Sequence, residues 1–137
     1  MKKRLLVAVG VTAAVAGLGA AGAFASAAKH TANSDVCVLL PDSKSSVRWE
    51  TADRRYLSAA FKAAGVSHTI VNAEGDAQKQ RSQADQCLTN GAKVILLVNL
   101  DSGSGAAIEK AAAAKGAKTI DYDRLTLKGS AAYYVSF

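Results

Sequence analysis

The chain has 137 residues, half of them hydrophobic and a fifth charged, with a net charge of +6. Three of those charges are Lys2, Lys3 and Arg4, and no acid precedes Asp35, so the remainder carries +3. These figures fit one small globular domain rather than a disordered or fibrous chain, and dispersed basic residues without interleaved aromatics give no basis for a nucleic-acid partner.

Residues 1–27 join the basic head Met1–Arg4 to an apolar run from Leu5 to Phe24 and then to Ala25-Ser26-Ala27. That order predicts a secretory signal peptide cleaved after Ala27. The run is long enough to span a bilayer, so an uncleaved membrane anchor is the alternative. Within it, Gly17-Leu18-Gly19-Ala20-Ala21-Gly22 fits a dinucleotide-binding pattern, but with no strand before it the match is discarded. Residues 28–35 read as a flexible polar leader.

The folded part, residues 36–137, begins with Val36–Leu40, a short unbroken apolar run and hence a strand covered on both faces. Pro41 and Asp42 end it, and Ser43–Ser46 lead into a helix. On that helix Trp49, Ala52, Tyr56, Ala59, Ala60 and Ala63 recur at three- and four-residue steps as one core-facing stripe. Gly65 stops it. A second strand spans about His68–Ala73. Asp76 caps a second helix with an inner face of Ala77, Ala84, Cys87 and Leu88, and the helix ends at Asn90-Gly91. Val94–Val98 is a third strand. A third helix opens near Ser102–Ser104 and runs to Gly116. Lys118–Tyr122 and Ala132–Phe137 are the fourth and fifth strands.

Strands alternating with helices of this length predict βαβ units and a three-layer α/β sandwich on a mainly parallel sheet. The uniformly apolar first and third strands belong at its centre, and the second, with His68 and Asn72, at an edge. The order expected is 2-1-3-4-5. The link from Arg124 to Ala131 is too short for a helix, so local physics also allows a hairpin there as the alternative. After Phe137 nothing closes the sheet, as in a fragment of something longer.

In open α/β sheets ligands lie beyond the carboxyl ends of the strands, where strand order reverses. There the sequence places Asp42, Lys44, Arg48 and Trp49 after the first strand, Asp101 after the third, and Asp123-Arg124 after the fourth. A carboxylate beside a guanidinium suits a vicinal diol, which donates and accepts at once. An indole face suits the C–H side of a sugar ring. Asp42 and Asp101 also have the character of turn and cap residues. Two His and two Cys without ligand spacing give no metal site, and no cofactor motif or nucleophile–base pair is visible.

The stretches LLPDSKSSVRWE, VNLDSGSGAAIEKA, TIDYDR and YYVSF together resemble the start of a periplasmic sugar-binding protein of the xylose-binding type. The resemblance runs from Val36 to Phe137. It implies the N-terminal lobe of a substrate receptor for an ABC transporter, with a pentose or related aldose held through Arg48, Asp123 and Arg124, joined by Lys44, Trp49 and Asp101. It implies a membrane permease as partner, no catalysis and an extracytoplasmic location. Two other readings stand beside it: a truncated, non-binding remnant, and a single-domain flavodoxin-like protein.

Export to an oxidising compartment leaves two Cys to pair. With strand order 2-1-3, the second helix crosses over the first strand, and its last turn lies near the strand's amino end. That brings Cys87 to Cys37 and predicts a disulfide.

Overall fold

The computed structural model describes residues 33–137. The expected signal peptide, its cleavage after Ala27 and most of the leader lie outside the described residues. The elements are β1 (Val36–Leu40), a π-helical turn (Trp49–Asp53) continuing into α1 (Arg54–Ala63), β2 (His68–Asn72), α2 (Ala77–Thr89), β3 (Val94–Leu97), α3 (Ser102–Ala114), β4 (Lys118–Tyr122) and β5 (Tyr133–Val135). The five strands form one sheet in the order β2-β1-β3-β4-β5, parallel at every pairing.

Because side chains alternate along a strand, the central strands feed two separate cores. Cys37, Leu39, Ile95 and Leu97 point to the layer of α2 and α3, where they meet Ala84, Leu88, Ile108 and Ala112. Val38, Leu40, Leu96 and Val98 point the other way and close on Trp49, with Leu57 and Phe61 at the margin. Both faces of β1 and β3 are therefore covered, which is why neither strand shows the polar alternation of a half-exposed one. Beyond α1 the second face stays open: Ile120, Tyr122 and Val135 join Val36, Leu57 and Phe61 around an apolar groove of about 410 Å³.

Two expectations change. The predicted stripe of the first helix is its core face at Trp49 but not beyond the π-helical turn, since Tyr56 is 64% exposed and Ala59, Ala60 and Ala63 are exposed too. The cause is the π-helical turn, in which the Arg54 N–H reaches back five residues to Trp49 O. A π turn inserts one residue into the 3.6 period, so the inward positions advance by one, to Asp53, Leu57 and Phe61. The fifth strand is parallel to β4, pairing Ile120 with Tyr133 and Tyr122 with Val135. It is shorter than expected, and its residues are exposed.

The Asp76 side chain accepts from the N–H groups of Gln78 (2.8 Å) and Lys79 (3.0 Å), satisfying two otherwise orphaned donors at the start of α2. Asp76→Ala is expected to lower stability by about 1 kcal/mol. The urea midpoint should fall with an unchanged slope, and an unmoved midpoint would mean that the first turn holds without its cap. A disulfide joins Cys37 to Cys87, with Cα atoms 6.2 Å apart, fastening the last turn of α2 to the amino end of β1.

Candidate functional site

The loops after β1, β3 and β4 meet at the carboxyl rim of the sheet, and three features there hold each other in place. The first is a tight turn. Both Asp42 carboxylate oxygens are used: Oδ1 accepts from the N–H groups of Lys44 (2.7 Å) and Ser45, and Oδ2 from the Ser45 hydroxyl (2.7 Å). Burial pushes this carboxyl up, yet those donors and the nearby Arg124 charge more than offset it and hold it below the ordinary value. The turn aims the Ser45 hydroxyl at the site, where it accepts from Trp49 Nε1 (3.3 Å) and Arg124 Nη2 (2.9 Å).

The second feature is Arg48, whose guanidinium lies 4.3 Å from the Trp49 ring centre and 4.4 Å from that of Phe137. Its Nε sits 2.9 Å from Asp53 Oδ2 and its Nη2 3.3 Å from Asp123 Oδ1. The Nε–Oδ2 pair has ion-pair distance without hydrogen-bond alignment, so it acts as charge against charge. Asp53 Oδ1 accepts from the Tyr122 hydroxyl at 3.0 Å. Burial, and then this hydrogen bond, push the Tyr122 pKa up to about 12, so the phenol stays protonated as a donor.

The third feature is the end of β4. Arg124 N–H bonds back to Tyr122 O at 2.8 Å across Asp123, which takes φ +65°. This is a three-residue γ-type turn with a non-glycine residue in the left-handed region, a conformation that costs of order 1–3 kcal/mol and gathers at functional sites. It turns Asp123 toward Arg48. Arg124 is clamped from both ends. Its Nη1 donates to Asn99 O (3.1 Å), while Asn99 Nδ2 donates to Arg124 O (3.1 Å) and to Thr126 Oγ1 (2.8 Å). Its guanidinium carbon lies 5.6 Å from the Trp49 ring centre.

The sequence-predicted residues thus separate. Arg48, Asp123, Arg124 and Trp49 come together. Trp49 does so differently from the expected open stacking face: it is 2% exposed, packed in the core, and overlain by the two arginines. It is a platform for guanidinium groups. Asp101 caps α3, accepting from the Ser104 N–H (2.8 Å) and hydroxyl (2.6 Å), and these bonds hold its carboxyl below the ordinary value. Lys44 is exposed, and the turn uses its backbone N–H. Sequence reasoning missed Asp53, Asn99, Ser45 and Phe137 as parts of the site. Asp53 gave no signal, because its five-residue spacing from Arg48 brings side chains together on a π turn but not on the α-helix that the periodicity predicts.

With Asp42 occupying the amides after β1, the donors that a phosphate-cradling loop would offer are already taken. Among the described residues no cluster suited to a metal ion occurs, and no helix is long and apolar enough to cross a membrane.

No curated protein matches the chain. Solved structures do. A solute-binding protein of an ABC transporter from Clostridium phytofermentans, with bound β-D-glucose, is 30% identical at a TM-score of 0.69, over 74% of this chain and 31% of that one. A carbohydrate transporter solute-binding protein from Chloroflexus aurantiacus, in complex with D-glucose, is 31% identical at a TM-score of 0.67, over 76% of this chain and 30% of that one. The Caulobacter myo-inositol binding protein, bound to myo-inositol, is 26% identical at a TM-score of 0.68, over 77% of this chain and 36% of that one. The chain therefore spans about a third of the length of these structures. Residues 36–137 match the model of the periplasmic binding protein domain. By that match the chain belongs to the periplasmic binding protein family.

Proposed function

We propose that the chain supplies a carbohydrate-binding lobe of an exported receptor, which takes a monosaccharide of the pentose or aldose class, xylose among them, and delivers it to an ABC permease. One observation carries this reading: Arg48, Asp123 and Arg124 are gathered on one rim, each pre-oriented by a partner other than the ligand. Asp53 and two rings set Arg48, the γ-type turn sets Asp123, and Asn99 sets Arg124. A carboxylate beside one fixed guanidinium fork, with a second fork over the same indole, offers complementary acceptors and donors to adjacent hydroxyls. The relatives with bound glucose support an aldose, and the one with bound myo-inositol, a cyclic polyol, presents the same vicinal hydroxyls. A receptor role needs no catalytic group, and the site's chemistry is that of recognition.

One lobe makes only part of the contacts of a closed receptor, so binding to this chain is expected on the order of millimolar, some 4 kcal/mol. Titrating the full chain with D-xylose and D-glucose, followed by amide NMR, should shift residues around Ser45–Trp49, Asn99 and Tyr122–Arg124. Arg124→Ala removes a charged donor and should weaken binding about tenfold or more. Shifts elsewhere, or an unchanged affinity in Arg124→Ala, would remove this rim as the site.

A further inference from the structure

Behind the rim lies a second, buried carboxylate pair that the binding chemistry does not use. Asp121 on β4 is 0% exposed and Glu109 on α3 is 1% exposed. Asp121 accepts from the Thr126 N–H at 2.6 Å and the Thr126 hydroxyl at 3.0 Å. Glu109 Oε2 accepts from the Ser130 N–H. Both carboxylates thus grip one segment, Thr126–Ser130, which carries the chain from Arg124 to β5. The approach is close. A Cβ at Gly129 would lie 2.5 Å from Glu109 Oε2, and one at Gly105 would lie 2.8 Å from Thr126 Oγ1, so two glycines let the segment seat.

The remaining oxygen of Glu109, Oε1, is buried and has no hydrogen-bond donor, and Glu109 is the like charge that acts on Asp121. Two ionised carboxylates there would repel, and an orphan buried acceptor would go unpaired. A single proton between them removes both faults. We propose that Asp121 keeps a proton directed at Glu109 and that the two side chains act together as a clasp on Thr126–Ser130, so that losing the proton loosens the segment whose Thr126 holds Asn99, the partner of Arg124.

The surroundings offer no cation to substitute for that proton. On β4, Lys118 shares the cavity of about 260 Å³ beside Glu109 but makes no ion pair with it among the described residues. On α3, Lys110 is exposed. In the segment, Lys128 is exposed, and Arg124 is committed to Asn99 and Ser45. On β5, Tyr134, in register with Asp121, gives its hydroxyl to Asp123 O. Thr119, Thr126 and Asn99 are neutral. The charge acting on Asp121 is that of Glu109, and desolvation followed by that like charge outweighs the Thr126 donors to raise its pKa.

The sign follows. A carboxyl whose pKa is higher in the closed state stabilises that state at low pH. Its contribution is lost as pH rises from the ordinary value, about 3.8, through the raised one. In that window the closing constant of the segment falls by up to about tenfold per pH unit. Beyond it, the loss levels off.

The test uses the full chain with ¹³C-labelled carboxyls and needs no ligand. In the wild type, the Asp121 resonance should titrate above the ordinary carboxyl range, and hydrogen-exchange protection of the Thr126, Leu127 and Ser130 amides should fall across that step. In Glu109→Gln the amide oxygen keeps the Ser130 bond and the NH2 takes the proton's place, so this fall should disappear. An Asp121 step at the ordinary value, or a protection profile that E109Q leaves unchanged, would overturn the proposal. Its relevance to Arg124 as a sugar contact rests on the function proposed above, and the two fail separately. A chain that shows the raised Asp121 step and binds no D-glucose or D-xylose at any pH would sink the carbohydrate reading and leave the clasp standing.

Discussion

Trp49→Ala should be the most damaging single substitution in the described residues, lowering stability by about 3–5 kcal/mol. The indole is 2% exposed and fills the core between Val38, Leu40, Leu96 and Val98. α1 reaches that core only through Leu57 and Phe61 at its margin, so collapse into the space left by an indole would be partial. The loss is compounded at the rim. Arg48 and Arg124 lie over this ring, and each such contact is worth about 0.5–2 kcal/mol, more as it is desolvated. The expected result in urea, followed by circular dichroism, is a large fall in the midpoint. Trp49→Phe keeps a ring under the arginines and forfeits the indole donor to Ser45, so its loss should be much the smaller. Equal losses in both variants would show that the indole N–H, not the packed volume, is what matters. A loss under about 1 kcal/mol in Trp49→Ala would put the ring outside the core.

The same residue shows what was legible in the sequence. The strand order could be read because β1 and β3 are apolar on both faces and β2 is not. The helix phase could not, because a π turn is set by the local packing of Trp49 and Asp53 and leaves no mark on a 3.6-residue pattern. That one-residue advance hid Asp53 and reassigned the core face to Leu57 and Phe61. The direction of β5 was open for a different reason. A ten-residue link can return as a hairpin or cross over, and here side-chain bonds decide: Thr126 on Asp121, Leu127 N–H on the Ser102 hydroxyl at 3.0 Å, Ser130 on Glu109. Glu109 occupies the buried face of α3 beside Ile108 and Ala112, a place where a charged residue signals a partner that only the fold supplies. At the site, some roles were legible along with the residue types: Asp42 and Asp101 lie at the rim by position, yet their turn and cap character could be read from the sequence and is the role the structure gives them.

Removing the disulfide should cost about 4 kcal/mol in the chain-entropy model, because the bond closes a loop of 50 residues. The replacement matters, since Cys37 is fully buried among Leu39, Ile95 and Leu88. Serine there would add an unpaired hydroxyl to the lost crosslink, so the clean variant is the double Cys37→Ala/Cys87→Ala. Its urea midpoint should drop by an amount matching the drop that dithiothreitol causes in the wild type, and dithiothreitol should leave the double variant unmoved. A wild type indifferent to reductant would mean that packing alone holds α2 on β1. The location of the bond adds a second, sharper expectation. It ties α2 to the amino end of β1, whereas Asp42, Arg48 and Arg124 lie past the carboxyl ends. Reduction should therefore lower stability while leaving the rim's ligand affinity unchanged, as long as the chain remains folded. A fall in affinity at denaturant-free, fully folded conditions would show that the two ends of the sheet are coupled.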